Sequence, residues 1–263
     1  MGCGAIGSAL AAALQRPPLA RSFQLAGVHD LDRQKASTLA HRLRGGISAL
    51  PLDMLIRRSD LILEATAASA AGHIVTRALA ARRDVLCLSV GGLLPLSRRL
   101  PTLTRRGGHL YVPSGAIAGV DAIKAARLGT LRRVTLTTRK SPASLMDAPG
   151  ARRFRARLRR TTHPITLFHG TAAQAVRQFP HNINVAATLA LAGLGTARTK
   201  VQIVADPRVR RNIHEIEAVG SFGRLTVRTE NIPSVQNPKT SELAILSALA
   251  TLHQLAHPWR VGT

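Results

Sequence analysis

The chain has 263 residues, 45% of them apolar, which is enough for one large domain or two modest ones with a real core and excludes wholesale disorder. No apolar run approaches the ~20 residues that span a bilayer, so no membrane partner is expected. Two cysteines, Cys3 and Cys87, make neither a disulfide framework nor a zinc site, and no secretory leader is visible, so reduced thiols, no metal and a cytoplasmic location are the expectation. The net charge of +24 rests on 32 arginines and five lysines against 13 acidic residues. It predicts weak, salt-sensitive attraction to polyanions. With five Phe, one Tyr and one Trp there is little to stack bases on, so nucleic acid is expected only as a non-specific partner.

Gly2-Cys3-Gly4-Ala5-Ile6-Gly7 matches G-x-G-x-x-G and runs into a helical stretch, Ser8 to Gln15. In a dinucleotide fold the first glycine makes the tight turn, the second lets backbone approach the pyrophosphate, and the third lets the helix pack closely. Phe23-Gln24-Leu25-Ala26-Gly27-Val28 reads as the next strand. Asp30 follows it, 23 residues after Gly7, near the spacing at which an acid binds ribose hydroxyls. Arg33 and Lys35 lie close behind, so NAD and NADP both stay open. The motif should be preceded by an apolar strand, yet Met1 stands one residue ahead of the first glycine. Either the start is mis-assigned or that strand has been lost, and the sheet is expected to be truncated there.

Asp60 to Glu64 reads as a strand, followed by the small residues Ala65-Thr66-Ala67-Ala68-Ser69, a helix over roughly 71–81, and a strand from Asp84 to Val90. Gly91-Gly92 break that strand, and a further helix leads to His109-Leu110-Tyr111-Val112-Pro113. Strand and helix alternating at this spacing predict a doubly wound parallel sheet. Ser114 to Asp121 is then a glycine-rich turn into a helix, read either as a cofactor-facing turn or as a structural one.

From Leu131 the pattern changes to longer strands over 134–138, 200–204, 213–219 and 223–227, which predict an antiparallel or mixed sheet in a second domain. Arg152 to Arg160 holds six arginines among nine residues and reads as a loop or a solvated helix in preference to a phosphate-contacting one. Asn182 stands at a cap position for a helix through Leu194. Asn237-Pro238-Lys239-Thr240-Ser241-Glu242 reads as cap, Pro at the first helical position, then helix, an anion-binding terminus with Lys239 beside it. In the last helix, Glu242 to Leu255, the apolar positions Leu243, Leu246, Leu249 and Ala250 are expected to cover the first domain.

The most informative stretch is Asn212 to Gly220. Its period of two puts Asn212, His214, Ile216 and Ala218 on one face and Glu215 and Glu217 on the other, wetter one. A histidine is thus aimed at the more apolar side of a sheet, either as a paired core residue or as a group that exchanges protons.

With these segments assembled, the chain resembles the L-aspartate dehydrogenases, over nearly its whole length and most densely after Val112. The segments that carry the likeness are Gly2 to Gly7, Ser114-Gly115-Ala116-Ile117, Pro180 to Leu189, Asn212-Ile213-His214-Glu215 and Asn237 to Ser241. The resemblance implies a Rossmann domain plus an α/β catalytic and dimerisation domain: a dinucleotide-binding domain over 1–112, a catalytic domain over 113–237, and a C-terminal helix, 238–263, returning to the first domain. It implies NAD or NADP held by Gly2, Gly4, Ala5, Ile6, Gly7, Asp30, Ala116 and Asn182. His214 falls on the family's catalytic histidine, and Lys239 and Thr240 are the expected contacts to the substrate carboxylates.

The implied reaction is oxidative deamination of L-aspartate to iminosuccinate, then oxaloacetate and ammonia, or its reverse, feeding NAD biosynthesis in a cytoplasmic homodimer. Two other readings are open on the sequence. One is a reductase of the dihydrodipicolinate-reductase type, whose paired histidines followed by lysine are not seen here. The other is a truncated or degenerate Rossmann-type protein that binds a polyanion.

Overall fold

The structure, a computed structural model, describes residues 1–180, 183–234, 237–259, 261 and 262. The chain divides into two compact units, Met1–Pro113 with Ile245–Val261, and Ser114–Ala244.

In the first unit the helices α1 (Ala5–Leu14), α2 (Arg33–Arg42) and α3 (Leu52–Arg58) precede β1 (Leu61–Glu64), α4 (Ala68–Ala80), β2 (Asp84–Cys87), α5 (Leu100–Arg106) and β3 (Leu110–Tyr111). The three strands form a parallel sheet in the order β1-β2-β3. Parallel neighbours need a crossover between them, and α4 supplies one with Ala71, Ile74, Val75, Ala78 and Leu79 buried at helical spacing. After Cys87 the chain turns into a 3-10 stretch, Val90–Leu96, because Gly91-Gly92 and Pro95 cannot extend the strand.

Beyond β1 the sheet thins out. Met1 continues it for one step: its amine donates to Leu63 O at 2.7 Å, and the amide of Ala65 donates to Met1 O at 2.9 Å. On its other side the Gly2 amide donates to His29 O at 2.8 Å. Phe23–Val28, expected as a strand, joins no ladder except for one bridge, Val28 to Ala49. The reason lies in the backbone alternation. Val28 turns its amide and carbonyl to Ser48 and Leu50, so Leu25 and Gly27 face the other way. There they line a cavity of about 730 Å³, whose opposite wall is Leu61, Ile62 and Leu63 and whose floor includes Leu10, Leu14 and Leu252.

The second unit contains α6 (Val120–Ala126), β4 (Leu131–Lys140), α7 (Pro142–Leu145), α8 (Arg155–Leu158), β5 (Ile165–Thr171), α9 (Ala172–Gln178), α10 (Asn184–Ala192), β6 (Lys200–Ala205), β7 (Asn212–Gly220), β8 (Gly223–Asn231), β9 (Pro233–Ser234) and β10 (Asn237–Ser241). Five strands form one mixed sheet in the order β5-β6-β4-β7-β8, with β4 and β6 parallel and the other neighbours antiparallel. One face carries the core: Val134, Leu136, Val201, Ile203, Ile216 and Ala218 pack with Ile123, Ala175, Ala186 and Leu189 from the helices and with Phe179 just after α9. The other face is polar. There Glu217 pairs with Arg133 at 2.6 Å and Arg224 at 3.0 Å, and Glu215 pairs with Arg228 at 2.6 Å. The arginine run of 152–160 is helical, a 3-10 turn over Pro149–Phe154 and then α8, pinned by the buried Ala151 and Leu158 while its arginines stay at the surface.

Two sequence expectations near the C-terminus fail. Asn237–Ser241 is strand β10, antiparallel to β9, and the helix α11 (Glu242–Ala256) begins only at Glu242. The cap-and-proline signal is local, and hairpin pairing with Pro233 and Ser234 overrides it, so the anion-binding helix terminus expected at Lys239 is not there. The buried stripe of α11 is also a different one. Ile245, Ala248 and Leu252 are buried, with Leu249 partly so, whereas Leu243 and Leu246 are exposed. The helix is apolar nearly all round, so its sequence offers two stripes, and packing on Leu10 and Leu14 selects the second.

Candidate active site

In the first unit the glycine turn has the shape its sequence requires. Gly2 sits at φ +83°, and a side chain there would collide with the carbonyl of Ala65; one at Gly7 would collide with the carbonyl of Gly2. Gly4, by contrast, has nothing within 4 Å of where a Cβ would stand. The turn is therefore tight at its ends and open in the middle, and it leads into α1, whose N-terminus carries no side-chain cap and no acidic residue in its first turn. Uncapped amides at a ten-residue helix terminus favour phosphate. Asp30 is drawn to the same turn: its Oδ2 accepts from the Cys3 amide at 2.7 Å and its Oδ1 from the Asp32 amide at 2.9 Å. Gly2, Gly4, Ala5, Ile6, Gly7 and Asp30 thus come together, and their geometry fits a dinucleotide.

Behind this turn lies a group the sequence reading passed over. Glu64, fully buried at the end of β1, accepts hydrogen bonds from Thr66 N and Oγ1, Ser89 N and Cys87 Sγ, tying together the loops that follow β1 and β2. Its only sequence signal is an acid ending the apolar run Leu-Ile-Leu. Burial pushes the Cys87 thiol well up, with the Glu64 charge adding to it, so this cysteine is no nucleophile.

In the second unit the sheet register arranges the core face as successive rows across β4, β7 and β8. Val134, Ala218 and Leu225 form one row, and Leu136, Ile216 and Val227 the next. Then the chemistry changes. The third row is Thr138, His214 and Thr229, and two residues further along each strand stand Lys140, Asn212 and Asn231. An apolar sheet face therefore ends in a polar patch that is still buried: Thr138 is 2%, His214 4%, Lys140 8% and Asn231 3% exposed.

His214 Nδ1 and Thr138 Oγ1 hydrogen-bond at 3.1 Å. Desolvation, with the charge of Lys140 adding to it, lowers the imidazole from its usual 6.5 to about 3, so His214 is neutral throughout the physiological range. Burial alone brings Lys140 down to about 8. Ala116 belongs to this patch as well: its carbonyl accepts from Asn231 Nδ2 at 2.9 Å and from Thr229 Oγ1 at 3.1 Å. The turn 114–119 is thereby fastened to the polar end of the sheet, with Gly115 and Gly119 at positive φ.

Of the remaining sequence candidates, Asn182 lies outside the described residues. Lys239 and Thr240 stand on β10, the side chain of Lys239 outside what the structure describes, and that of Thr240 half-buried. Lys140, Thr138, Thr229 and Asn231 were missed. Their signal was the break from Val and Leu to Thr and Lys along β4, legible only once the register with β7 is known.

The glycine turn with its acid and the second sheet with its buried histidine define the class, an NAD(P)-dependent oxidoreductase of two α/β units. Comparison with known proteins agrees. The NAD-binding domain of homoserine dehydrogenases matches residues 2–113, and the C-terminal domain of aspartate dehydrogenases matches residues 121–255. The L-aspartate dehydrogenase of Methanosarcina barkeri is 41% identical over all of this chain and 98% of its own, and that of Bradyrhizobium diazoefficiens is 38% identical over all of this chain and 92% of its own. Among solved structures, aspartate dehydrogenase from Thermotoga maritima shares the fold with a TM-score of 0.76 at 24% identity, over 99% of this chain and 97% of that one. The chain belongs to the L-aspartate dehydrogenase family.

Proposed function

We propose that this protein oxidises L-aspartate at its α-carbon with NAD or NADP, giving iminosuccinate and, after hydration, oxaloacetate and ammonia, and that it also runs the reverse reductive amination. The observation that carries the reading is the polar end of the second unit's sheet face, where a neutral buried histidine, a threonine and a lysine interrupt an otherwise apolar core.

A bound nicotinamide supplies the acceptor for the substrate hydride. The chain's own residues do the rest. Gly2, Gly4, Ala5, Ile6 and Gly7 bind phosphates through backbone, Asp30 accepts from ribose hydroxyls, and Ala116 and Asn182 complete the cofactor contacts. His214 handles the proton. Its Nδ1 is engaged by Thr138, so Nε2 takes a proton from the water that adds to the imine carbon and returns one to the departing amine. Burial keeps the imidazole unprotonated before substrate arrives, so it enters the reaction as a base. Thr240 and Lys239, on the strand leading into α11, are candidates to meet a substrate carboxylate.

In this reading residues 1–112 serve as the dinucleotide-binding domain and 113–237 as the catalytic and dimerisation domain, with 238–263 as the segment that returns to the first. The working form is a cytoplasmic homodimer supplying NAD biosynthesis. Among the described residues no helix is long and apolar enough to cross a membrane.

The test is oxidation of NADH and NADPH by the purified protein with oxaloacetate and ammonia. Turnover is expected, and His214→Ala should lower kcat by roughly 10²- to 10⁴-fold while NADH still binds. A His214→Ala variant with normal turnover would remove His214 from the mechanism.

A further inference from the structure

We propose that Thr229 and Asn231 are positioning residues for the cofactor: from β8 they lock the turn of Ala116 into the conformation that receives the nucleotide, in fixed register with His214. The proposal rests on the reading of Ala116 as a cofactor contact and adds to it two residues that none of the sequence motifs points to.

The turn follows β8 along its core face. Asn231 Nδ2 donates to Ala116 O at 2.9 Å, and Thr229 Oγ1 donates to the same oxygen at 3.1 Å. Three residues on, a side chain at Gly119 would stand 2.8 Å from Val227 Cγ2 and 3.9 Å from Leu225 Cδ2. Asn231, Thr229 and Val227, successive core-face positions of one strand, thus each touch a point on the turn. The turn's own backbone does not select this path. Gly115 at φ +69° and Gly119 at φ +74° are free to take either sign of φ, so the side chains of β8 have to choose for them.

The hydrogen bonds close on themselves. Asn231 directs one amide hydrogen at Ala116 O and the other at Thr229 Oγ1, 3.3 Å away, while the Thr229 hydroxyl turns its own hydrogen to Ala116 O. Both lone pairs of that carbonyl are taken. If packing were the only demand, apolar side chains continuing the row of Leu225 and Val227 would fill this end of β8 at lower cost than a buried amide and hydroxyl. What the polar pair adds is direction, since it fixes where one peptide group points. Thr229 also lies directly opposite His214 on β7. The residue that fixes the turn therefore borders the imidazole, and neighbouring strands set the cofactor contact against the proton-handling group. Without both donors the Ala116 carbonyl is left buried and unpaired, which favours other turn conformations. Affinity for the nucleotide then falls with the fraction of chains that keep the competent one.

The experiment reads binding and local order apart from turnover. Kd for NADH is measured by fluorescence titration of the full chain, and hydrogen exchange at the Ala116 and Ile117 amides is followed without cofactor. The variants are Thr229→Val, Thr229→Ser and the double variant Thr229→Val with Asn231→Leu, each checked for fold by circular dichroism. Val134→Ala, a core deletion in a different row of the sheet, controls for lost stability. The double variant should exchange these amides faster and bind NADH roughly 10- to 100-fold more weakly. Thr229→Val should show a smaller loss of the same kind, and Thr229→Ser, which keeps the hydroxyl, should bind like the parent. Val134→Ala should lower Tm with Kd for NADH unchanged. A folded double variant that binds NADH as well as the parent overturns the proposal while leaving the dehydrogenase reading intact, and so does a Val134→Ala variant that weakens NADH equally. If the double variant does not fold, the isosteric Thr229→Val decides in the same way. A parent chain that binds neither NADH nor NADPH overturns both.

Discussion

The two units differ in how completely they bury their sheets. The second unit's five strands share one continuous core, with Val134, Leu136, Phe179, Ile203 and Ile216 all nearly sealed from water. The first unit is as well sealed where α4 lies on its sheet, at Ile74, Val75, Leu79, Val85 and Leu93, but on the side of Met1 two small clusters, Leu10 with Leu14, Leu86 and Leu252, and Ala11 with Val28 and Leu39, flank a cavity of about 730 Å³. A dinucleotide-binding unit made of parallel strands needs neighbours on both sides of its central strands to pair their backbone and fill the space. Among the described residues, β1 pairs with β2 on one side and on the other meets Met1, through Leu63 O and the Ala65 amide. The turn of Gly2 to Gly7 is thus anchored by three backbone hydrogen bonds at Met1 and Gly2, whereas His214 is held by a five-stranded sheet.

The largest expected effect is on the better-packed unit. Phe179 is fully buried, edge-on to Phe168 with ring centroids 5.9 Å apart. Phe179→Ala should cost about 3–5 kcal/mol in that unit, read by denaturant unfolding with hydrogen exchange following β4 and β6. A cost under 1 kcal/mol would show that its core is not the tight one.

Next in size is the pH response of the buried pair. Because His214 titrates near 3 in the folded chain and near 6.5 unfolded, the unfolded chain binds the extra proton between those values, so stability falls as pH drops through that window. Lys140 acts in the alkaline range: its folded value is about 8 against 10.5 unfolded, so stability rises as pH climbs between them. Each contribution is on the order of a few kcal/mol. Unfolding free energies measured across pH should lose the acid-side slope in His214→Asn and the alkaline-side slope in Lys140→Met. Unchanged slopes would mean these side chains are solvated.

The first unit responds to addition instead of removal. Joining a five-residue apolar, β-branched extension ahead of Met1 should raise Tm by several degrees and protect the amides of Leu61, Leu63 and His29 from exchange, while a Gly-Ser extension of equal length should not. Equal behaviour of the two extensions would show that the cavity does not accept a strand. The smallest effect belongs to the second unit's polar face, where Glu217→Gln removes exposed ion pairs to Arg133 and Arg224; the loss should be minor and vanish at high salt.

Much of this architecture was legible in the chain itself. The glycine pattern determined the turn and α1, since only residues without a Cβ survive at Gly2 and Gly7. The period of two in 212–220 determined which face His214 shares with Ile216 and Ala218, because alternation is a property of any strand. What the local pattern left open, long-range pairing decided. Phe23–Val28 has strand composition but no ladder, since a strand exists only with a partner. Asn237–Ser241 has a helix-start sequence but pairs with β9, and α11 presents two apolar stripes of which packing buries one. Lys140 and Asn231 became neighbours of His214 only through the register of three strands separated by up to about ninety residues, which no spacing rule can supply. Sequence alone thus determined the periodic and steric features, which depend on each residue and its immediate neighbours. Tertiary structure decided which polar groups share a buried face, because that depends on hydrogen bonds between segments far apart in the chain.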